Sequence, residues 1–265
     1  MAWQEFLNRH TTVLSLLQAF PSAIVTAEDL LLTLPTIRPR HYSISSAAEL
    51  HPRQLYLTVG VLKLHSKQHN TIREGLCSNF LARQSPGQRI RVAVRPSSFR
   101  SPPDLAASPV IMVGAGTGIS PMLGFLEARQ KAQSEGTPLA QCLVYFGCRD
   151  ATEFLYSDKM IHWHRLGVIT ALHVATSREG VKAYVQHLIA AEHLKIWQFL
   201  RHPACHVYVC GNSSMAEEVK AEIMMAAHRC GRMDPAAVVN FIRTMTQEGR
   251  FQADTWGAGL PASSA

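Results

Sequence analysis

Several features that would place this sequence in a simple class are missing from it. The longest apolar runs, around Leu30 to Leu34 and Val110 to Val113, fall far short of the roughly 20 residues that span a bilayer. No basic segment followed by an apolar one opens the chain, so no secretory signal is expected. The expected location is cytoplasmic, and any membrane anchor would lie on an upstream segment. The six cysteines (Cys77, Cys142, Cys148, Cys205, Cys210 and Cys230) make no CxxC pair and no metal-ligand spacing. That pattern fits reduced thiols. His162 and His164 flank Trp163, but residues two apart on a helix face different ways, so no metal site is expected. There is no internal repeat, no low-complexity tract and no basic stripe interleaved with aromatics, which argues against nucleic acid.

What is present describes a globular chain. At 265 residues, 47% hydrophobic and 17% charged, it can bury one large or two small domains. The net charge of +7 fits anionic ligands or an acidic partner. A mildly basic surface with no specific role accounts for it equally well.

The pattern changes twice along the chain. Residues 1–36 read as helical, with Trp3, Phe6 and Leu7, then Val13, Leu14, Leu16, Leu17 and Phe20 at helical spacing, and a break at Pro21. A second short helix is predicted around Ala27 to Leu34, stopped by Pro35. Residues 37–104 carry alternating stretches at 41–45, 55–61 and 89–94, the pattern of antiparallel strands with one wet face. Residues 96–109 are rich in proline and serine and read as a linker. Over 105–265, apolar strands at 110–113, 143–146, 172–175 and 207–209 each precede a helical segment, which predicts a parallel α/β sheet.

The most particular stretch runs from Pro109 through Val110-Ile111-Met112-Val113 into Gly114-Ala115-Gly116-Thr117-Gly118-Ile119-Ser120-Pro121. A buried strand enters a glycine turn, and Pro121 stands where a helix can start. Glycines allow close approach to a pyrophosphate, and the helix start offers free N–H groups. Ile119 breaks the G-x-G-x-x-G of an ordinary Rossmann dehydrogenase.

The G-x-G-T-G-x-x-P pattern resembles the NADP loop of the ferredoxin–NADP reductase superfamily, and further motifs follow in that family's order. Arg40-His41-Tyr42-Ser43 resembles its R-x-Y-S flavin motif, and Gly75-Leu76-Cys77-Ser78 its pyrophosphate-binding helix start. Tyr145-Phe146-Gly147-Cys148-Arg149, Ser177-Arg178 with Lys182-Ala183-Tyr184-Val185-Gln186, Val207-Tyr208-Val209-Cys210-Gly211 and the ending Arg250 to Trp256 also fit. Together they resemble the diflavin reductases over nearly the whole chain.

The resemblance implies an enzyme that moves a hydride from NADPH to FAD, then passes electrons singly to an FMN domain, on a separate or missing segment, or to another redox acceptor. It implies a ferredoxin–NADP reductase-like α/β sheet over 105–265, a partial antiparallel FAD barrel over 37–104, and the end of a helical connecting insert over 1–36. Arg40, Tyr42, Ser43, Gly75, Cys77, Ser78 and Trp256 would hold FAD. Gly116, Thr117, Gly118, Arg149, Ser177, Arg178, Lys182, Tyr184 and Gln186 would hold NADPH, with Ser177, Arg178, Lys182, Tyr184 and Gln186 on its 2′-phosphate and Thr117 and Arg149 on the remaining phosphates. Ser43, Cys210, Asp254 and Trp256 would serve the transfer itself. Asn212 stands where the family has an acidic residue. The competing reading is an NADPH-binding or regulatory module that has lost FAD and turnover.

Overall fold

The computed structural model describes residues 13–66 and 71–257. They fall in two units, Met1–His41 and Tyr42–Ala265. The first unit contains helices α1 (Val13–Ala19) and α2 (Ala27–Thr33). Thr26 caps α2 reciprocally with Asp29, each side chain meeting the other's backbone N–H. Neither helix buries a residue. The expected helical contribution of Trp3, Phe6 and Leu7 lies outside the described residues.

The second unit opens with little regular structure. The expected strands at 41–45 and 55–61 reduce to one antiparallel bridge, Ile44 to Leu57, with Ser45 N–H donating to Tyr56 O at 2.8 Å. Residues 89–94 form no strand, and Val92 and Val94 are exposed. Alternation describes a strand only where a neighbour pairs with it, and none of the described segments runs alongside 89–94 as a partner strand. A hairpin that the sequence reading did not anticipate, β1 (Lys63–Ser66) with β2 (Thr71–Glu74), leads into the short helix α3 (Leu76–Ala82). The described residues do not confirm the expected partial barrel.

From Val110 the expected sheet is present and longer than predicted. Its strands are β3 (Val110–Ala115), β4 (Cys142–Cys148), β5 (Ala171–Thr176), β6 (His206–Asn212) and β7 (Phe251–Trp256). They lie in the order β5-β4-β3-β6-β7, and all are parallel. Helices α4 (Ser120–Ser134), α5 (Ser157–Arg165), α6 (Val185–Ala191), α7 (His193–Leu200), α8 (Ser213–Arg229) and α9 (Pro235–Gln247) cover both faces.

Residues alternate along each strand between two cores. Ile111, Val113, Val207 and Val209 pack with α6 to α9, and Val110, Met112, Tyr208 and Cys210 pack with α4 and α5. Burial on both faces is why the central strands read as continuous apolar runs.

The stretch expected as a linker is packed instead. Phe99 meets Phe125 at 5.8 Å and Tyr208 at 5.3 Å between ring centres. Tyr208 Oη donates to Arg100 O at 2.8 Å, and Arg100 N–H donates to Gln252 Oε1 at 2.7 Å. Its proline content signalled irregular backbone, which is correct, and said nothing about the aromatic at 99. Among the described residues no helix is long and apolar enough to cross a membrane.

Candidate functional site

The topology locates the site before any side chain is considered. From β3 the chain runs outward through β4 to β5, then returns to lay β6 on the other side of β3. At such a reversal the two connections leave the strand ends in opposite directions and open a crevice, where open α/β sheets bind ligands. The Gly114–Gly118 turn and the end of β6 meet there.

After β3 the backbone takes one 3₁₀ turn, Gly116–Ile119, and then enters α4 with Pro121 in its first turn. Gly116 has φ +53°, a left-handed conformation that favours glycine. Gly118 lies directly on β6: a Cβ there would stand 2.1 Å from the Cys210 carbonyl oxygen and 3.1 Å from the Trp256 ring. Only glycine allows this approach.

Residues from three segments far apart in sequence, around Ser43, Cys210 and Asp254, converge on that point. Cys210 and Asp254 are register partners on β6 and β7, and Asn212 and Trp256 are partners two residues on. Ser43 Oγ donates to Asp254 Oδ2 at 2.9 Å, and Ser120 Oγ, at the start of α4, donates to Ser43 O at 3.0 Å. Trp256 is 46% exposed, and its ring lies against Gly118 of the glycine turn.

Cys210 is buried, and its thiol is pushed up to about 12, first by burial and then by the Asp254 carboxylate. It is therefore a neutral S–H at physiological pH, not a thiolate. Burial likewise pushes Cys142 to about 11 and Cys205 to about 12. These folded values lie above the ordinary 9.0. Their contribution to stability is thus complete below 9.0 and is lost as pH rises toward the folded values. The urea midpoint is expected to fall between pH 8.5 and pH 10.5 (about these values) and to fall less in Cys142→Ala and Cys205→Ala.

On the opposite side of the crevice the loops after β4 and β5 are joined. Ser177 N–H donates to Cys148 O at 3.0 Å, Arg178 N–H to Arg149 O at 2.7 Å, and Ala151 N–H to the Glu179 carboxylate at 2.8 Å. Arg149 and Arg178 thus sit on adjoining backbone, both exposed, with Arg149 paired to Glu153 at 3.1 Å. Lys182 Nζ lies 5.3 Å over the Tyr184 ring. Gln186 is turned inward, its Nε2 donating to Glu218 at 2.6 Å.

The expected flavin residues are placed less uniformly. Tyr42 is half-buried beside Ser43. Arg40 belongs to the first unit, where its guanidinium donates to Arg38 O at 3.4 Å. Gly75 begins α3 with no side-chain cap. Ser78 Oγ accepts from Leu62 N–H at 3.1 Å, which engages it within the fold. Cys77 is half-buried.

Sequence reasoning missed three local supports. Asn212 is the N-cap of α8, accepting from Met215 N–H at 2.7 Å. Asn before Ser213-Ser214 and a helical run is a cap signature that was open to recognition. Asn212→Asp is expected to keep the cap and the melting temperature, and Asn212→Ala to cost about 1 kcal/mol, both read from thermal melts. The other two, Glu127 and Glu179, meet partners brought close only by the fold.

The sheet order, the glycine turn on β6 and the cation-bearing loops define a dinucleotide-binding oxidoreductase domain. Residues 112–221 match the family model for the oxidoreductase NAD-binding domain, and residues 2–80 match that for an FAD binding domain. The chain is similar to NADPH–cytochrome P450 reductases: 33% identical to that of Cavia porcellus and 35% to that of Homo sapiens, each over 97% of this chain and 38% of the relative. It is 33% identical to the Drosophila melanogaster protein of that name over 84% of this chain and 33% of the relative. The chain is similar to the FAD- and NADP-binding portion of these diflavin reductases and spans about two fifths of their length.

Proposed function

We propose that this chain transfers a hydride from NADPH to FAD and delivers the electrons to an FMN domain or another redox acceptor protein. The observation that carries the reading is the convergence of Ser43, Cys210, Asp254 and Trp256 on the Gly118 turn. Residues 37–104 are assigned to the flavin side and 105–265 to the nucleotide side, a division that the parallel sheet from Val110 onward supports. Residues 1–36 are assigned to the helical connection. The free cysteines fit a reducing compartment and support a cytoplasmic location.

The residues fit both cofactors. The backbone N–H groups at the start of α4, with Thr117, would meet the NADPH pyrophosphate, the turn being held close on β6 by the absence of a Cβ at Gly118. Arg149 would meet the remaining phosphates with Thr117, and Ser177, Arg178, Lys182 and Tyr184 would receive the 2′-phosphate, which wants cations where NAD sites use a carboxylate. Gln186 would join them by turning from Glu218. Gly75, Cys77 and Ser78 would meet the FAD pyrophosphate, with Tyr42 and Trp256 on the two faces of the ring. Bound FAD supplies the chemistry the side chains lack, taking up two electrons together and releasing them one at a time.

The protein's own contribution is placement and charge. Asp254, with the Ser43 hydroxyl donating to it, sets a fixed negative charge beside the place where positive charge grows on the nicotinamide as it gives up its hydride. Cys210 offers a neutral, soft contact next to that carboxylate. Trp256 excludes water from the flavin face until the nicotinamide takes its place.

Anaerobic NADPH is expected to bleach the flavin absorbance of the purified, FAD-supplemented chain, with NADH much slower. Protein that stays colourless after FAD is added would remove the proposal and return the reading to a nucleotide-binding module without turnover.

A further inference from the structure

Three residues of α4, namely Ser120, Gly124 and Glu127, lie one and two turns apart and share a face of the helix. Each meets the segment that carries Ser43, in step. Ser120 Oγ donates to Ser43 O at 3.0 Å. Gly124 has the Ser46 carbonyl against it, since a Cβ there would stand 3.0 Å from that oxygen. Glu127 Oε2 accepts the Ala47 N–H at 2.9 Å.

Glu127 is a carboxylate only 8% exposed, a placement that is costly unless both oxygens are matched. They are. Its Oε1 pairs with Lys159 Nζ from α5 at 2.9 Å, and His51 Nε2 lies 3.6 Å from Oε2. Lys159 is steadied in turn by the Trp163 ring, 5.5 Å from its Nζ. A charge serving only solubility would not be enclosed by two helices and a loop.

The segment is thus held at two points. Ser43 is bonded to Asp254 on β7, and four residues later Ala47 is bonded to Glu127. We infer that Ser120, Gly124 and Glu127 form a seat that fixes the Ser43–Ala47 segment against the nucleotide-binding domain, with Glu127 as a positioning residue for hydride transfer. The inference rests on the flavin-reducing reading above. Glu127 touches no reactant and acts through Ser43, whose place relative to Asp254 it sets. Removing the acceptor leaves a buried N–H unpaired and frees the segment to shift by the fraction of an ångström to which transfer geometry is sensitive.

The test uses the full chain with FAD. Glu127→Leu is expected to slow flavin bleaching at saturating NADPH at least about tenfold, while NADP⁺ affinity by calorimetry stays within about twofold. Amide exchange across residues 43–47 is expected to accelerate while β3 keeps its protection. Glu127→Gln still accepts the Ala47 N–H and is expected to recover most of the rate. Gly124→Ala, which pushes a methyl against Ser46 O, is expected to reproduce the slow rate and serves as the second variant if Glu127→Leu does not fold. Wild-type rates in the folded variants would overturn the proposal, as would equal slowing by Glu127→Gln and Glu127→Leu. If NADPH does not bleach even the wild type, the proposed function falls and exchange alone decides the seat. Faster exchange at 43–47 in Glu127→Leu or Gly124→Ala then sustains it, and unchanged exchange removes it.

Discussion

Gly118→Ala is expected to abolish most of the activity of this protein without unfolding it. The added Cβ would stand 2.1 Å from the Cys210 carbonyl oxygen, a backbone atom of a central strand bonded on both sides to its neighbours. The strand cannot yield, so the turn must. A withdrawal of about 1 Å, the difference between that contact and an ordinary one, displaces the Thr117 backbone and the first turn of α4, where the dinucleotide would be bound. Misplacement on this scale costs about 100-fold in rate. Gly118 is buried beside Ile119 of one core, so some stability is lost as well, but the strand ladders do not involve the turn and are expected to persist. The check is twofold: NADP⁺ affinity and NADPH-driven bleaching should both fall by that order, while far-ultraviolet circular dichroism and a cooperative melt persist. Near-normal affinity would mean that the turn does not contact the nucleotide. A Gly116→Ala control tests the other constraint: its φ of +53° strains a side chain, but its Cβ meets nothing, so a loss of about tenfold or less is expected.

How far the sequence led is best judged at particular residues. The central strands were legible because both of their faces are buried, which leaves no polar residue to interrupt Val110–Val113 or Val207–Val209. β7 was seen only as a motif. As an edge strand paired on one side, it exposes alternate residues such as Ala253 and Thr255, so its apolar signal is weak. The 89–94 stretch misled in the opposite way, having the alternation of a strand without a described partner. The site residues at 43, 210, 254 and 256 were named from motif order, yet their closeness is a property of topology. β6 and β7 must be adjacent and in the observed register before Cys210 can face Asp254. Glu127 carried no signal at all: its partners, Ala47 and Lys159, are 80 and 32 residues away. A buried carboxylate looks in sequence like any acidic residue on a helix.

Trp256→Ala is expected to shift the choice between NADPH and NADH more than any other single change outside the phosphate loop. The indole ends an edge strand, is 46% exposed, and lies 3.1 Å from where a Gly118 Cβ would be, so it stands over the turn that a nicotinamide must approach. Displacing it costs free energy for either cofactor. On the proposed reading NADPH would offset that cost through its 2′-phosphate, since each charge-assisted hydrogen bond to Arg178 or Lys182 would contribute about 1.5–3 kcal/mol. NADH has no such group, and at equal concentration it leaves the ring in place most of the time. With the ring removed the penalty vanishes for both, and the cofactor that could not meet it gains more. At a fixed, subsaturating concentration the bleaching rate with NADH should rise at least about tenfold, which corresponds to about 1.4 kcal/mol. The rate with NADPH should change little or fall, because release of NADP⁺ would no longer be assisted by the returning indole. Trp256→Phe should lie between the two, having a smaller face over the same turn. An unaltered NADPH-to-NADH ratio in Trp256→Ala would mean that the ring packs on Gly118 as a structural cover and takes no part in admitting the nicotinamide.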